Sequence, residues 1–291
     1  MDLARSVLED ALKSFLAEDL GFGDITTESL VNPSTQASAT IVCNEPAIVA
    51  GLEEAQTLLE IVGCEGRPII NEGARVAPGT KILRATGPAR SLLKLERTLL
   101  NLLSHMSGVA TATSELVDLA NKAERNKVRI ACTRKTLPGL RYFEKRAVVI
   151  GGGDTHRLRL DDAVLIKDNH LAIAGTVTDC VKKARSNVSF TKKIEVEATK
   201  PAQAVEAAKA GADIILLDNM KPVQVDKTIA ALRKENLRDK VVLEASGGIR
   251  RDNIATYAKT GVDIISLGTI THSAKSIDMS MNINRTPSKR E

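Results

Sequence analysis

The carboxyl-terminal half of the chain alternates short apolar runs with helical patterns, and this alternation constrains the fold more than any other feature. Six runs have the character of buried strands: VRIAC (128–132), AVLIK (163–167), KIEVEA (193–198), DIILLD (213–218), VVLEAS (241–246) and VDIISLG (262–268). Segments typical of helices lie between them, among them PAQAVEAAKA (201–210), PVQVDKTIAALRKE (222–235) and RDNIATYAKT (251–260). Because near-continuous apolar strands belong in a parallel sheet covered on both faces, the pattern predicts an α/β fold.

The same half favours a barrel over a doubly wound sheet. Two stretches nearly repeat, KAGADIILLDN (209–219) and KTGVDIISLGT (259–269), and each combines a helix end, a glycine cap and a buried strand. The early GxGxxG turn of a dinucleotide-binding sheet is absent, since GGGDTH (151–156) does not have that spacing. We therefore predict an α/β barrel over residues 106–274.

The first 105 residues follow a different pattern. Apolar residues at helical spacing predict a helix that ends at Gly21, and short strand-like pieces fill residues 35–89. A second long helix is predicted over residues 91–123. We expect an α+β domain over residues 1–105, and we assign residues 275–291 to a carboxy-terminal tail whose end, INRTPSKRE (283–291), frays into solvent.

Composition narrows the kind of ligand. The chain has 41 basic and 36 acidic residues, which is a modest surplus, and its 2% aromatic content without Trp argues against a platform for stacking bases. We therefore expect no nucleic-acid partner, although a non-catalytic barrel that binds anions or nucleic acid through the basic tail is an open alternative. The four cysteines have no CxxC spacing, so we expect buried, reduced thiols without a zinc site or disulfide framework.

The amino-terminal sequence bears on location. MDLARSVLED is charged from residue 2 and lacks the apolar core of a signal peptide. No run approaches the roughly 18 apolar residues that a membrane span requires. We expect a cytoplasmic protein that has no membrane partner.

Polar residues follow nearly every predicted strand, where barrel enzymes build their active sites. The cations at or near these strand ends are Arg134, Lys135, His156, Arg157 and Lys167, and the carboxylates are Glu197 and Asp218. Arginine binds carboxylates and phosphates through paired hydrogen bonds, while lysine acts as a mobile point charge. This set of residues predicts a ligand that carries two negative charges.

Glycines and acids near the later strands suggest two further functions. SGG (246–248) and SLGT (266–269) let backbone N–H groups approach a phosphate at the start of a helix. Glu197 and Asp218 lack the ligands of an all-protein metal cage, but they can share Mg²⁺ with the phosphates or hydroxyls of a substrate. They can also pair with Lys167 or Arg157 inside the barrel, and both arrangements are compatible in the empty enzyme.

Several motifs together carry a family resemblance over almost the whole chain. They are EDLGFGDITTESL (18–30), LERTLLNLLSHMSGVAT (95–111), TRKTLPGLR (133–141), GGGDTHRLRLDDAVLIKDNH (151–170), IEVE (194–197), LLDNM (216–220), LEASGGI (243–249) and SLGTITHS (266–273). In this order the chain resembles quinolinate phosphoribosyltransferases. The resemblance implies an α/β sandwich with α+β character followed by an open, incomplete α/β barrel. It also implies the transfer of phosphoribose from 5-phosphoribosyl-1-pyrophosphate to quinolinate with Mg²⁺, which releases pyrophosphate and CO₂ and yields nicotinate mononucleotide for NAD synthesis.

The resemblance implies a role for each matching residue. Quinolinate would lie among Arg134, His156, Arg157 and Lys167, with Lys135 beside the pyrophosphate. Glu197 and Asp218 would contact the ribose hydroxyls and Mg²⁺, and the catalytic set would be Lys135, Lys167, Glu197 and Asp218. The group expected to cradle the 5-phosphate is Ser246, Gly247, Gly248 and Gly268, with His272 nearby.

The resemblance also implies an assembly of at least two copies. The amino-terminal domain would make the dimer contact, and Arg97 would reach into the neighbouring subunit's site. From the sequence alone, Arg97 is a polar position on a helix.

Two related activities are alternatives within the same class. A nicotinate phosphoribosyltransferase uses a related barrel for a substrate with one carboxylate, and a molybdate-operon protein of unknown substrate shares parts of the pattern. A pocket built for two carboxylates leaves buried cations unpaired when one is missing, which can discriminate by roughly 10⁴. The four cations expected around the acid therefore favour the dicarboxylate.

Overall fold

The computed structural model describes residues 3–123 and 128–286. These residues form two compact units. The first contains residues 3–112, 149–151 and 274–286, and the second contains residues 113–123, 128–148 and 152–273. No helix in this part of the chain is both long enough and apolar enough to span a membrane.

Helices and strands occupy most of both units. The helices are α1 (Arg5–Leu20), α2 (Ile25–Leu30), α3 (Leu52–Ile61), α4 (Ala89–Ala123), α5 (Arg141–Ile150), α6 (Asp168–Ala174), α7 (Val177–Asn187), α8 (Pro201–Ala210), α9 (Pro222–Lys234), α10 (Ile254–Ala258) and α11 (Thr269–His272), with a 3-10 turn at Arg238–Lys240. The strands are β1 (Gln36–Cys43), β2 (Ala47–Ile48), β3 (Glu65–Pro68), β4 (Arg75–Val76), β5 (Thr80–Pro88), β6 (Arg129–Ala131), β7 (Val164–Ile166), β8 (Ile194–Ala198), β9 (Ile214–Asp218), β10 (Val242–Ser246), β11 (Ile264–Ser266) and β12 (Met279–Arg285). The predicted helices over 91–123, 201–210 and 222–235 are confirmed as α4, α8 and α9.

The first unit is built on a four-stranded antiparallel sheet in the order β12-β1-β5-β3. Side chains of β1 alternate between buried and partly exposed positions, as expected for a strand with one face on a core. Helix α1 buries Leu8, Leu12 and Leu16, which recur every fourth residue and so share one face. The expected α+β character of this unit is confirmed.

The carboxyl-terminal segment differs from the expectation of a separate tail over residues 275–291. Strand β12 pairs antiparallel with β1 from Ala37 opposite Arg285 to Cys43 opposite Met279, so residues 274–286 belong to the first unit. The cause is the alternation of Met279, Met281 and Ile283 with polar residues, which favours a strand, and the otherwise unpaired edge of β1. Of the segment expected to fray, residues 283–285 are in this strand, and residues 287–291 lie outside the described residues.

The unit boundary also differs from the predicted division after residue 105. It falls between residues 112 and 113, inside α4. The reason is that α4 is continuous from Ala89 to Ala123, so no turn or linker marks the division in the sequence.

The second unit is built on six parallel strands in the order β6-β11-β10-β9-β8-β7. Among the described residues, β6 and β7 do not pair with each other, and β6 makes only an isolated parallel bridge from Ala131 to Asp154 on its outer side. Central positions such as Val196, Ile215 and Leu217 are fully buried. The strands therefore form the predicted open α/β barrel, and all six predicted strands are confirmed.

The long helix α4 generates a stability prediction at Gly108. A Cβ added there would lie 2.1 Å from the carbonyl oxygen of Lys275. Gly108→Ala should therefore lower the free energy of unfolding by about 1–3 kcal/mol through overpacking. The same change in an unobstructed helix interior stabilises by about 1 kcal/mol. Urea unfolding measures both outcomes, with Asn101→Ala at an exposed position of α4 as the control; a Gly108→Ala protein as stable as wild type would contradict the prediction.

Candidate active site

A cavity of about 460 Å³ lies at the carboxyl ends of the parallel strands of the second unit. Side chains alternate between the two faces of a strand, so Glu197, Asp218 and Ser246 end up on the cavity side of β8, β9 and β10. In register, Ser246 lies opposite Asp218, and Glu197 lies opposite Leu216. Ten of the predicted site residues line this cavity: Arg134, Lys135, His156, Arg157, Lys167, Glu197, Asp218, Ser246, Gly247 and Gly248.

One side of the cavity is strongly cationic. Burial, and then the neighbouring charge of Arg134, lower the pKa of Arg157. The Arg157 side chain is held by a hydrogen bond from Nη1 to the carbonyl of Ala163, at 3.0 Å. The Nε of Arg134 is buried and has no hydrogen-bond partner among the described residues. Two guanidinium groups that repel each other, one with an unused donor, form a site prepared for an anion.

Lys167 lies at the end of β7 where the KDNH motif begins α6. The amide of Lys167 donates to Nδ1 of His170 at 2.9 Å, and the amide of His170 donates to the carbonyl of Lys167 at 2.9 Å. This pair of bonds fixes the backbone at the start of α6. The Nζ of Lys167 is 3.2 Å from Oε1 of Glu197, so the ion pair that the sequence allowed is present.

His156 lies deeper in the cavity wall. Its Nε2 is 3.2 Å from Oε2 of Glu244 and 3.5 Å from Oε1 of Glu195. Burial lowers the pKa of His156, while hydrogen bonding and charge from Glu195 and Glu244 act in the opposite direction and favour a proton on the ring. Because the amide of Arg157 donates to Nδ1 at 2.7 Å and needs a lone pair there, the proton that the carboxylates favour is the one on Nε2.

The other side of the cavity carries a glycine turn after β10. Gly247 and Gly248 both have left-handed backbones, with φ of 85° and 66°. A Cβ on Gly247 would lie 2.3 Å from Oδ1 of Asn219, so only glycine fits this approach. Asn219 is held in turn because its amide donates to the carbonyl of Ser246 at 2.9 Å and its Nδ2 donates to Asp218 at 2.9 Å. Consecutive backbone N–H groups in such a turn can form an anion-binding concavity.

Gly268 lies beside Lys135, which itself lines the cavity, and His272 lies beside Gly268. A Cβ on Gly268 would lie 2.9 Å from Cδ of Lys135 and 3.2 Å from Nε2 of His272. The hydroxyl of Thr271 donates to the backbone carbonyl of Lys135 at 2.6 Å. The structure therefore places Gly268 and His272 against Lys135 rather than in the cavity lining.

Arg97 does not line the barrel cavity. It is exposed on α4, within the first unit, and borders a separate cavity of about 440 Å³ with Glu45, Asn101 and Lys275.

Sequence analysis missed several residues of the site. Glu195 and Glu244 are almost completely buried, each about 1% exposed, and the cavity is also lined by Thr133, Leu165, Leu216, Asn219, Glu244 and Ser266. A signal for the two acids was available, because KIEVEA and VVLEAS each place a glutamate inside an apolar parallel strand. A charged residue in a strand covered on both faces is buried and needs a partner.

The cavity brings cations, carboxylates and a glycine turn into one site at the carboxyl ends of the strands. Such a site can hold one substrate by its carboxylates and another by its phosphate, with the acids between them. The fold and site together define an α/β-barrel enzyme that acts on anionic and phosphorylated substrates.

Comparisons with known proteins identify the family. The model of the quinolinate phosphoribosyl transferase N-terminal domain matches residues 24–107, and the model of the C-terminal domain matches residues 109–282. The chain belongs to the quinolinate phosphoribosyl transferase family. The free cysteines Cys43, Cys64, Cys132 and Cys180 are all buried, as expected.

Individual relatives match over nearly their full length. The chain is 48% identical to a probable nicotinate-nucleotide pyrophosphorylase (carboxylating) of Methanothermobacter thermautotrophicus, over 94% of this chain and 98% of that protein. It is 39% identical to the nicotinate-nucleotide pyrophosphorylase (carboxylating) of Mycobacterium leprae, over 97% and 99% of the two chains. The crystal structure of NadC from Streptococcus pyogenes superposes with a TM-score of 0.91 at 36% identity, and the match covers 99% of this chain and 100% of that one.

The glycine turn generates a prediction about phosphate binding. Gly247→Ala should weaken the binding of ribose 5-phosphate by at least about tenfold, because the new methyl group displaces Asn219 and distorts the turn. Isothermal titration calorimetry measures the affinity. Gly139→Ala is the control, since Gly139 has a similar φ of 82° with open space around it and does not line the cavity. Equal affinities of the two variants would show that the turn does not hold the phosphate.

Proposed function

We propose that the protein transfers the 5-phosphoribosyl group of 5-phosphoribosyl-1-pyrophosphate to quinolinate. The reaction releases pyrophosphate and CO₂ and forms nicotinate mononucleotide for NAD biosynthesis. Family membership and the names of the relatives support this activity. The observation that carries this proposal is that one cavity is lined both by the cations Arg134, Arg157 and Lys167 and by the carboxylates Glu197 and Asp218.

The cationic side of the cavity favours a dicarboxylate acceptor. Burial and the charge of Arg134 lower the pKa of Arg157, and Nε of Arg134 is a buried donor without a partner among the described residues. Lys167 adds a third charge. Nicotinate has one carboxylate and would leave part of this charge uncompensated in a partly buried site.

The acids fit the transfer step. As the bond between the ribose carbon and pyrophosphate breaks, positive charge develops on the sugar, and the carboxylates of Glu197 and Asp218 can stabilise it. The pyridine nitrogen then forms the new bond to that carbon. The alkylated ring is cationic, so it can accept the electron pair left when the neighbouring carboxylate departs as CO₂, and a proton from solvent completes the product.

We also propose Mg²⁺ as the cofactor. Glu197 and Asp218 line the same cavity and offer the hard oxygen donors that Mg²⁺ prefers, and Lys167 and Asn219 already orient them. These two residues would hold the ion together with substrate oxygens. When bound, Mg²⁺ would neutralise charge on the pyrophosphate. The Lys135 ammonium borders the same space and would attract the pyrophosphate.

The activity itself can be measured directly. Purified protein with 5-phosphoribosyl-1-pyrophosphate and Mg²⁺ is offered quinolinate and nicotinate in parallel, and mass spectrometry follows the products. We expect nicotinate mononucleotide and CO₂ from quinolinate alone. Product from nicotinate alone would show that the protein is a nicotinate phosphoribosyltransferase instead. No product from either would favour the molybdate-linked or binding-only alternatives.

The cationic side can be tested by substitution. Arg157→Ala and Lys167→Ala should each weaken quinolinate binding by at least about tenfold and leave the affinity for ribose 5-phosphate within about twofold of wild type, because they remove charge from one side only. Calorimetric titration measures both ligands. Lys259→Ala, which removes an exposed lysine outside the cavity, is the control. Unchanged quinolinate affinity in both variants would show that Arg157 and Lys167 do not bind quinolinate.

We further propose that the working unit is at least a homodimer in which Arg97 completes the partner's site. The support is the resemblance, together with the position of Arg97 on the surface outside the barrel cavity. We also propose that the enzyme works in the cytoplasm without nucleic-acid or membrane partners.

Mixing two inactive variants tests the role of Arg97. Arg97→Ala and Lys167→Ala subunits, mixed in equal amounts and allowed to exchange, should recover about one quarter of wild-type activity, because half of the dimers then contain one intact site. The separate variants are the controls. Absence of recovery, with exchange verified by mass spectrometry, would contradict a contribution of Arg97 across an interface.

A further inference from the structure

Three features around the loop 154–157 have no role in the chemistry described above. They are the buried pair Glu195 and Glu244, the left-handed backbone of His156, with φ of 50°, and the fully buried Lys145. A non-glycine residue in this backbone region is costly and persists only when its surroundings hold it there. The contacts of these residues show what holds the backbone of His156 in this conformation.

Two carboxylates face the His156 ring from neighbouring strands. Oε1 of Glu195 on β8 and Oε2 of Glu244 on β10 are buried and accept no well-aligned hydrogen bond from any described residue, while Nε2 of His156 lies 3.5 Å and 3.2 Å away. The other oxygen of Glu244 accepts a hydrogen bond from Ser266 at 2.5 Å. The Nε2–H group of the ring is thus the donor available to both of these carboxylate oxygens.

The position of the His156 ring also fixes the backbone of Arg157. The amide of Arg157 donates to Nδ1 of His156 at 2.7 Å, and the amide of His156 donates to Oδ1 of Asp154 at 2.9 Å. From the opposite side, Nζ of Lys145 on α5 donates to the carbonyls of Thr155 and Arg157. The segment is therefore held by a cation on its carbonyls and by carboxylates on its ring.

We propose that Glu195 and Glu244 are positioning residues for the acceptor site. They hold a proton on Nε2 of His156, which keeps Nδ1 as an acceptor for the Arg157 amide and so fixes the direction in which the Arg157 side chain enters the cavity. The consequence for quinolinate rests on the proposed function. The consequence for the His156 ring does not depend on the proposed function.

The three groups also lie within 4.8 Å of one another, a spacing that a metal ion could bridge. A proton fits the surroundings better. Arg157 lies next to His156 and Arg134 lies close to Arg157, so a divalent ion would be placed beside two guanidinium charges. The groups that face the ring and set its charge are Glu195, Glu244, Asp154, Arg157 and, through the loop carbonyls, Lys145.

Nitrogen NMR of the histidine rings tests the proposal without substrate, because the chain has only 4 histidines. In the full-length protein labelled with ¹⁵N-histidine, His156 should show a protonated Nε2 and an unprotonated Nδ1 at neutral pH. In Glu244→Gln and Glu195→Gln, the fraction of the ring that carries its proton on Nδ1 should rise. Glu235→Gln, an exposed acid outside the cavity, should leave His156 unchanged. The signals of His105, His170 and His272 report whether each variant is folded.

A kinetic measurement on the same variants links the ring to the site. Glu244→Gln and Glu195→Gln should raise the KM for quinolinate at least tenfold and leave the KM for 5-phosphoribosyl-1-pyrophosphate within about twofold. A His156 ring that behaves in the variants as in wild type would overturn the proposal. Loss of the Nε2 proton of the wild-type ring on addition of diamagnetic Zn²⁺ would also overturn it, because a metal would then occupy the place of the proton. If the ring responds and quinolinate is not a substrate, the proposed function fails while the positioning role stands.

Discussion

The site depends on keeping like charges together in a partly buried cavity. Arg134, Arg157 and Lys167 lie at one end of the barrel, and burial together with the charge of Arg134 lowers the pKa of Arg157. Such a cluster is costly in the absence of an anion. The same cost makes the site selective, because a ligand that neutralises only some of these cations leaves the others buried without a partner. The fold must therefore supply enough fixed contacts to hold the cations in place before substrate arrives.

The parallel strands supply those contacts. Two of the three cations are held by specific contacts: Arg157 donates to the carbonyl of Ala163, and Lys167 pairs with Glu197 and is bonded through its backbone to His170. The glycine turn is held in a comparable way by Asn219. Preorganised groups of this kind stabilise developing charge without having to rearrange during the reaction.

The sequence predicted the strands and the strand-end residues well because both follow local rules. A buried parallel strand is apolar throughout, and polar residues at its carboxyl end are exposed to the cavity, so Glu197 and Asp218 could be assigned from position alone. Strand β12 could not be predicted in this way. Its partner β1 is more than 200 residues away in the sequence, and its polar positions are also typical of a solvated terminus.

The remaining site features depend on contacts between distant segments. Nothing local shows that Glu195 and Glu244 meet at His156, or that Lys145 reaches the carbonyls of the same loop. The place of Gly268 beside Lys135 likewise depends on how β6 and β11 pair. The proposed role of Arg97 concerns a contact between two copies of the chain, which no local pattern in the sequence predicts.

The most direct measurement is a crystal structure of the protein with quinolinate bound. The account predicts both carboxylates within hydrogen-bond distance of Arg134, Arg157 and Lys167, with the pyridine nitrogen facing Glu197 and Asp218. Quinolinate bound outside this cavity, or held by one carboxylate while Arg134 keeps its unused donor, would contradict it.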